Sequence, residues 1–261
     1  MIESLNSPHV ARVKALISSR GTKERKAHGE FVAEGLQCFR EAIVSKDGPQ
    51  IESLYLTASA RVKLDEITDL SLIKTYNVSD DVMKSMSETI TPQGILAICS
   101  IPQRKFESIT LNGHRKFIYL SEVQDPGNAG TILRSADAFG MDAVLTSPGS
   151  VDMYSPKVVR STAGSLWHIP VFEGVALSDL LSRSELTCFS LAAQGSQSLA
   201  DLAVVGDTVA IFGNEARGLS TAQLSAGITL VNIPMPGDAE SLNLSAAASI
   251  VMYHLANMQA S

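Results

Sequence analysis

Polar and apolar positions alternate in short mixed segments over the first hundred residues, then gather into continuous apolar runs over the rest of the chain. Ser7 followed by Pro8 predicts a helix start, because the serine side chain can accept from a free first-turn amide while proline sits where no donor is needed. A basic amphipathic helix follows. FVAEG (31–35) then leads into a helix near Leu36 to Val44, IESLYLT and LIKTYNVS are strand-like, Ser79 caps a short helix, and GILAICS closes the set. The polar segment IPQRKFESITLNGHRK, with Pro102 and Gly113 and no clear period, predicts a boundary, dividing the chain into residues 1–104 and 105–261.

Beyond that boundary the strand candidates are FIYL (117–120), AVLTS (143–147), CFSLAA (188–193), TVAIF (208–212) and TLVNIPM (229–235). Uniformly apolar runs suit a parallel sheet covered on both faces by helices, and TILRSADAFG and SAAASIVMYHLA supply helical periods. The fold class expected is therefore α/β: a small N-terminal α/β domain and a larger parallel-sheet domain. In such a sheet the loops leaving the carboxyl ends of the strands form the ligand crevice. Three of them carry glycine and asparagine: SEVQDPGNAG after FIYL, GNEARGLS after TVAIF, and PGDAESLNLS after TLVNIPM.

Composition narrows the chemistry. The 261 residues are 45% apolar, enough for a substantial core, and no run approaches the ~20 apolar residues of a membrane span. With no signal-peptide core at the start, a soluble cytoplasmic protein is expected. Cys38, Cys99 and Cys188 form no CxxC pair, and the five histidines fall in no ligand cluster, so no metal is expected. The net charge of −6 is unlike that of a nucleic-acid binder. Its distribution is not: Arg12, Lys14, Arg20, Lys23, Arg25 and Lys26 stand against the single acid Glu24, whereas residues 201–261 hold one basic residue, Arg217.

Rival nucleotide motifs fail. GNEARGLS has the glycine spacing and trailing Ser220 of a phosphate loop, but Leu219 replaces the lysine that would neutralise the β- and γ-phosphates. GxGxxG is absent, and so is the GxSxG elbow of serine hydrolases.

The residues that remain resemble a known family. Asn128-Ala129-Gly130-Thr131-Ile132-Leu133-Arg134, with Ala136, Phe139 and Gly140, is similar to the first motif of the SpoU (TrmH-like) RNA 2′-O-ribose methyltransferases of the SPOUT superfamily. Phe212 to Glu215 with Gly218-Leu219 resembles their second motif, and Ile233-Pro234-Met235 with Glu240 to Ser245 their third. Phe31 to Gly35 with Ala42 resembles the substrate-binding domain often attached to this family, and Lys157, Arg160, Ser161, Ala163 and Gly164 fit an intervening helix.

The resemblance implies an L30e-like N-terminal domain, a SPOUT domain with a trefoil knot, a homodimer, and S-adenosylmethionine as cofactor. It also implies methyl transfer to a ribose 2′-hydroxyl, with ribosomal RNA favoured over transfer RNA. A non-catalytic RNA-binding assembly factor and a base methyltransferase on the same fold are the alternatives. By family position Arg134, Asn128, Glu215 and Asn243 are the catalytic candidates. Phe212, Gly213, Asn214, Ile233, Met235, Ser241 and Leu242 would hold the cofactor. Arg134 suits anchoring a phosphate beside the target ribose better than general-base work, since a guanidinium resists deprotonation. Asn128 would orient the ribose or fix its glycine-rich turn, Glu215 would brace the cofactor loop, and Ser245 would cap the last helix. Lys157 and Arg160, three apart on one helix side, join the basic N-terminal stretch as candidates for RNA phosphates.

Overall fold

The computed structural model describes residues 1–192, 195–219 and 228–258. The chain forms two compact units, Met1–Gln103 with Tyr154–His168, and Arg104–Met153 with Ile169–Ser261.

In the first unit, α1 (Pro8–Ile17) begins where Ser7-Pro8 predicts, the Ser7 hydroxyl accepting from the His9 amide, and it buries Val10, Val13 and Leu16 at helical spacing. A second helix, α2 (Gly21–His28), was not legible, because GTKERKAH has no apolar face. Arg25 supplies what apolar residues do not. Only 3% exposed, it donates to the Leu16 carbonyl and, at 3.2 Å, to the Thr22 hydroxyl, clasping α2 to the end of α1.

The unit's sheet contains β1 (Glu30–Glu34), β2 (Ile51–Leu56), β3 (Thr75–Asn77) and β4 (Ile95–Ser100) in the order β1-β4-β2-β3, with only β2 and β3 parallel. Strand β3 is three residues long rather than the eight of LIKTYNVS, since only Thr75–Asn77 meet β2, and Leu72 is 97% exposed. Helices α3 (Leu36–Val44), α4 (Ala58–Asp65) and α5 (Asp80–Met86) follow β1, β2 and β3, with Thr57 and Ser79 capping the last two. The core packs Val13 and Leu16 against Val32, Tyr55, Leu96 and Ile98. Tyr154–His168, with the short helix Pro156–Ser161, belongs here too. The rings of Tyr154 and Trp167 lie 5.1 and 6.0 Å from that of Phe31, and the Trp167 indole donates to the Pro49 carbonyl at 2.9 Å.

The second unit is built on β5 (Lys116–Leu120), β6 (Ala143–Thr146), β7 (Val171–Glu173), β8 (Leu186–Leu191), β9 (Gln197–Ser198), β10 (Asp207–Phe212) and β11 (Thr229–Asn232). They form one sheet in the order β7-β6-β5-β10-β8-β11-β9, and every pairing is parallel. The central β10 is buried along its whole length, as expected of a strand covered on both faces. β7 and β9, three and two residues long, are too short to show a period. Strand β11 ends at Asn232, short of the expected Met235, so Ile233-Pro234-Met235 is loop; Pro234 has no amide to continue a ladder. The expected residue 193 of CFSLAA and Ser220 of GNEARGLS lie outside the described residues.

Cys38, Cys99 and Cys188 are free thiols. Burial pushes Cys38 and Cys188 up to about 11 and Cys99 higher still, which keeps all three protonated near neutral pH. Among the described residues, no helix is long and apolar enough to cross a membrane.

Candidate active site

Because every strand of the large sheet runs the same way, the loops after β5, β8, β10 and β11 share one edge. The first of them, Ser121–Asp125, leads into α6 (Pro126–Ala138). Asp125 is the N-cap, accepting the Asn128 amide at 2.7 Å, and Pro126 occupies the first turn. The helix thus starts five residues before the expected Thr131. Asn128, Ala129 and Gly130 lie inside this helix, so there is no separate glycine-rich turn for the Asn128 side chain to fix. Asp125-Pro126 was the available signal.

One side-chain amide ties the three motifs together. The Asn128 amide nitrogen donates to Glu215 at 3.4 Å, while its carbonyl oxygen accepts from the Asn243 amide at 3.1 Å. Glu215 also accepts from the backbone amides of Gln124 and Asp125 at 3.2 and 3.1 Å. Burial pushes the Glu215 carboxyl up, but the amides of Glu215, Asp125 and Gln124 and the Asn128 side chain outweigh it, holding the group below its ordinary value. A carboxylate so satisfied makes a brace and a poor proton acceptor.

This bracing has a pH signature. A depressed carboxyl stabilises the fold fully above its unfolded value, and the contribution is lost as pH falls through the folded one. Glu215→Gln replaces an acceptor by an amide that confronts backbone donors, so its melting temperature should lie below wild type at pH 7. The gap should close as pH drops below the ordinary carboxylate range; a gap constant from pH 7 to pH 3 in parallel thermal scans would refute the assignment.

Asn243 is the N-cap of the C-terminal helix Leu244–Asn257, accepting from the amides of Ser245 and Ala246. Ser245, expected to be the cap, is inside the helix and donates its hydroxyl to Asn243 at 2.6 Å. Ser135 and Ser249 meet at 2.9 Å where this helix packs on α6.

A cavity of about 160 Å³ opens at the same edge, lined by Leu191 at the end of β8 and Ala192 after it, Val231 and Ile233 on the β11 side, and Leu242 before the C-terminal helix. Met235, Glu240, Ser241 and Ala247 complete its lining. Four of the expected cofactor residues, Ile233, Met235, Ser241 and Leu242, are brought together here. The others are not. Phe212 is 2% exposed and its carbonyl accepts the Ser121 amide at 2.8 Å, so it is sheet core. Gly213 packs edge-on against Gly218, and Asn214 exchanges backbone hydrogen bonds with Gly218 while its side-chain amide donates to the Glu122 carbonyl at 2.8 Å. These three build the loop without lining the cavity. Leu191, Ala192, Val231 and Ala247 went unread, because apolar residues at strand and helix ends carry no signal beyond packing.

The cavity suits the adenosine end of S-adenosylmethionine. Its walls are aliphatic, and among the described residues the backbone groups of Ile233 and Leu242 have no hydrogen-bond partner, leaving donors and acceptors for a purine edge.

Glu122, also unread, adopts φ +54°, a left-handed conformation that costs a non-glycine residue about 1–3 kcal/mol. Its amide donates to the Ser147 hydroxyl, its carbonyl accepts from Gln124 and Asn214, and its carboxylate pairs with Arg217 at 2.8 Å. The loop after β5 is thereby fastened to the loop after β10.

Arg134 is exposed on α6 and has no hydrogen-bond or ion-pair partner among the described residues. Six residues along a helix place it about 120° from Asn128, so it stands outside the Asn128–Glu215–Asn243 network. In the first unit, Lys14, Arg20, Lys23, Lys26 and Lys157 are exposed. Arg12 is paired with Glu30, and Arg160 with Glu88 at 3.2 Å. Arg25 cannot serve as an RNA contact, because its guanidinium is buried and committed to Leu16 and Thr22.

Residues 115–253 match the model of the SpoU rRNA Methylase family, and residues 10–97 that of the MRM3-like substrate binding domain. The 23S rRNA (guanosine(2553)-2′-O)-methyltransferase RlmP of Bacillus subtilis is 34% identical over 256 residues, 97% of this chain and 98% of that one. The 23S rRNA (uridine(2479)-2′-O)-methyltransferase of Streptomyces viridochromogenes is 26% identical over 92% of this chain and 86% of its own. An AdoMet-bound rRNA methyltransferase from Sinorhizobium meliloti superposes with a TM-score of 0.85 at 26% identity, covering 97% of this chain and 96% of that one. Three motifs joined through one asparagine, an aliphatic cavity beside them and agreement along nearly the whole chain have one common explanation: the protein belongs to the SpoU rRNA methylase family.

Proposed function

We propose that this chain transfers a methyl group from S-adenosylmethionine to a ribose 2′-hydroxyl of ribosomal RNA, working in the cytoplasm as a homodimer. The observation that carries the reading is the aliphatic cavity beside the Asn128–Glu215–Asn243 network, on a chain of which 97% aligns with a 23S ribosomal RNA 2′-O-methyltransferase. When bound, S-adenosylmethionine supplies an electrophilic methyl on a sulfonium, so the reaction needs neither metal nor redox group.

The chain's own residues have three tasks. Leu191, Val231, Ile233 and Leu242 exclude water from the adenosine end, and free peptide groups at Ile233 and Leu242 orient it. Glu215, Asn128 and Asn243 hold the loops in a preformed arrangement, so little ordering is left to the moment of reaction. Arg134 takes the phosphate beside the target ribose; its charge favours the developing alkoxide, and the proton leaves to water or a phosphate oxygen. Exposed Lys14, Arg20, Lys23, Lys26 and Lys157 add phosphate contacts, with Arg12 and Arg160 joining them on exchanging Glu30 and Glu88 for RNA.

A homodimer is supported by the C-terminal helix, whose outer face leaves Ile250 40% and Tyr253 60% exposed. Tyr253→Arg should shift the protein toward monomer in sedimentation velocity; an unchanged sedimentation coefficient would place the interface elsewhere.

The reaction is tested by incubating the protein with methyl-labelled S-adenosylmethionine and unmodified 23S ribosomal RNA or transfer RNA. Label resistant to alkali at one nucleotide of the ribosomal RNA is expected. Alkali-labile linkage at the labelled nucleotide would indicate base methylation, and cofactor binding without label on either RNA would favour an assembly factor.

A further inference from the structure

Far in sequence from the methyl-transfer residues, the first unit carries two polar clefts. One, of about 330 Å³, is lined by residues including Gln37, Thr89, Thr91, Gln93 and Arg160, with Glu34 as its one acid. The other, of about 400 Å³, is lined by residues including Thr57, Ser59, Lys63, Lys84 and Gln93, with Asp80 as its one acid. Gln93 lines both, so the clefts flank a single ridge, the loop Ser87–Gly94. At its tip Ile90 is 92% exposed, a large aliphatic side chain held in water with no core to reach.

The loop is built to hold that shape. Glu34, at the end of β1, accepts from the Ser87 hydroxyl at 2.6 Å, the Glu88 amide at 3.0 Å and the Thr89 hydroxyl at 3.1 Å. At the other end the Gln93 side-chain oxygen accepts from the Leu36 amide at 2.9 Å. Lys63 and Lys84 are exposed and have no ion-pair partner among the described residues, unlike Arg61, which is spent on Asp65. A preordered ridge with an apolar tip, hydroxyl and amide groups beside it, and unneutralised ammonium groups in the adjoining cleft matches what unpaired RNA offers: a base face, base edges and phosphates. On a chain of net charge −6, two free lysines facing one nucleotide-sized cleft form a local exception.

We propose that the Ser87–Gly94 loop reads an unpaired segment of the RNA substrate. Ile90 packs on a nucleobase, Thr89, Thr91 and Gln93 meet base edges, and Lys63 and Lys84 hold the phosphates on one side while Arg160 holds them on the other. The proposal rests on the RNA reading above and adds where the substrate is selected.

The test uses the full chain and deproteinised, unmodified 23S ribosomal RNA in filter binding across a salt series, with S-adenosylmethionine affinity by calorimetry and melting temperature as controls. Lys63→Glu with Lys84→Glu should weaken RNA binding about tenfold or more and flatten the log–log salt dependence by about 0.7–0.9 per lysine. Ile90→Ser should weaken binding several-fold and leave the salt slope unchanged, since it removes no charge. Cofactor affinity and melting temperature should stay at wild-type values in both. Variants that bind 23S ribosomal RNA like wild type, while wild type methylates it, would overturn the loop's role and leave the enzymatic reading standing. Failure of wild type to bind or methylate the RNA would overturn both.

Discussion

Arg134→Ala is expected to lower methyl transfer by about 10²–10³-fold, the usual effect of removing one group aimed at developing charge, with S-adenosylmethionine affinity unchanged. The separation follows from geometry. Arg134 lines neither the aliphatic cavity nor the Asn128–Glu215–Asn243 network, and among the described residues it gives up no partner on removal. Folding should be untouched, because an exposed helical arginine becomes the best helix former. Arg134→Lys separates charge from shape: if a flat fork must grip a phosphate, lysine restores only a small part of the rate. Single-turnover rates with saturating RNA, beside calorimetric cofactor titrations, decide it. A rate within threefold of wild type for the alanine variant would remove Arg134 from the mechanism.

Gly213→Ala should do the reverse, disabling the cofactor site while leaving Arg134 in place. A Cβ at Gly213 would come within 2.4 Å of the Gly218 carbonyl carbon and 2.6 Å of the Leu219 nitrogen. Both are backbone atoms with no rotamer to yield, so the paired Asn214 and Gly218 hydrogen bonds must open. With them goes the placement of Glu215, which follows Asn214 directly and holds the start of α6. Overpacking of this kind costs about 1–3 kcal/mol. Cofactor affinity should fall at least tenfold, by about 1.4 kcal/mol or more. Gly237→Ala is the control, because a Cβ there meets nothing within 4 Å. Equal cofactor affinities for the two variants would show that the Gly213 contact does not position the site.

What could be read in the sequence was what repeats or what punctuates. Of the apolar runs of the large sheet, those of β5, β6 and β10 stand out because strands buried along nearly their whole length have few polar residues to interrupt them, and Ser7, Pro8 and Ser79 mark helix starts by a chemistry independent of the fold. The network was half legible: Asn128, Glu215 and Asn243 were singled out, but that one amide joins the other two depends on strand order, which periodicity does not encode. Asn243 and Ser245 are both good caps, and only backbone geometry decides between them. Arg25 misled for a physical reason. A basic residue in a basic segment reads as exposed, yet in an eight-residue helix without an apolar face it is the group that anchors. The cavity's Leu191, Val231 and Ala247 are indistinguishable in sequence from any buried aliphatic.

The course of the chain through Tyr154–His168 bears on how the protein is made. Phe31 is synthesised well before Tyr154 and Trp167, the rings that cover it, which follow only after β5, α6 and β6. On the ribosome the first unit therefore waits with an aromatic surface open, several seconds at about 5–20 residues per second, and a nascent chain in that interval is a natural client for a chaperone that grips exposed rings.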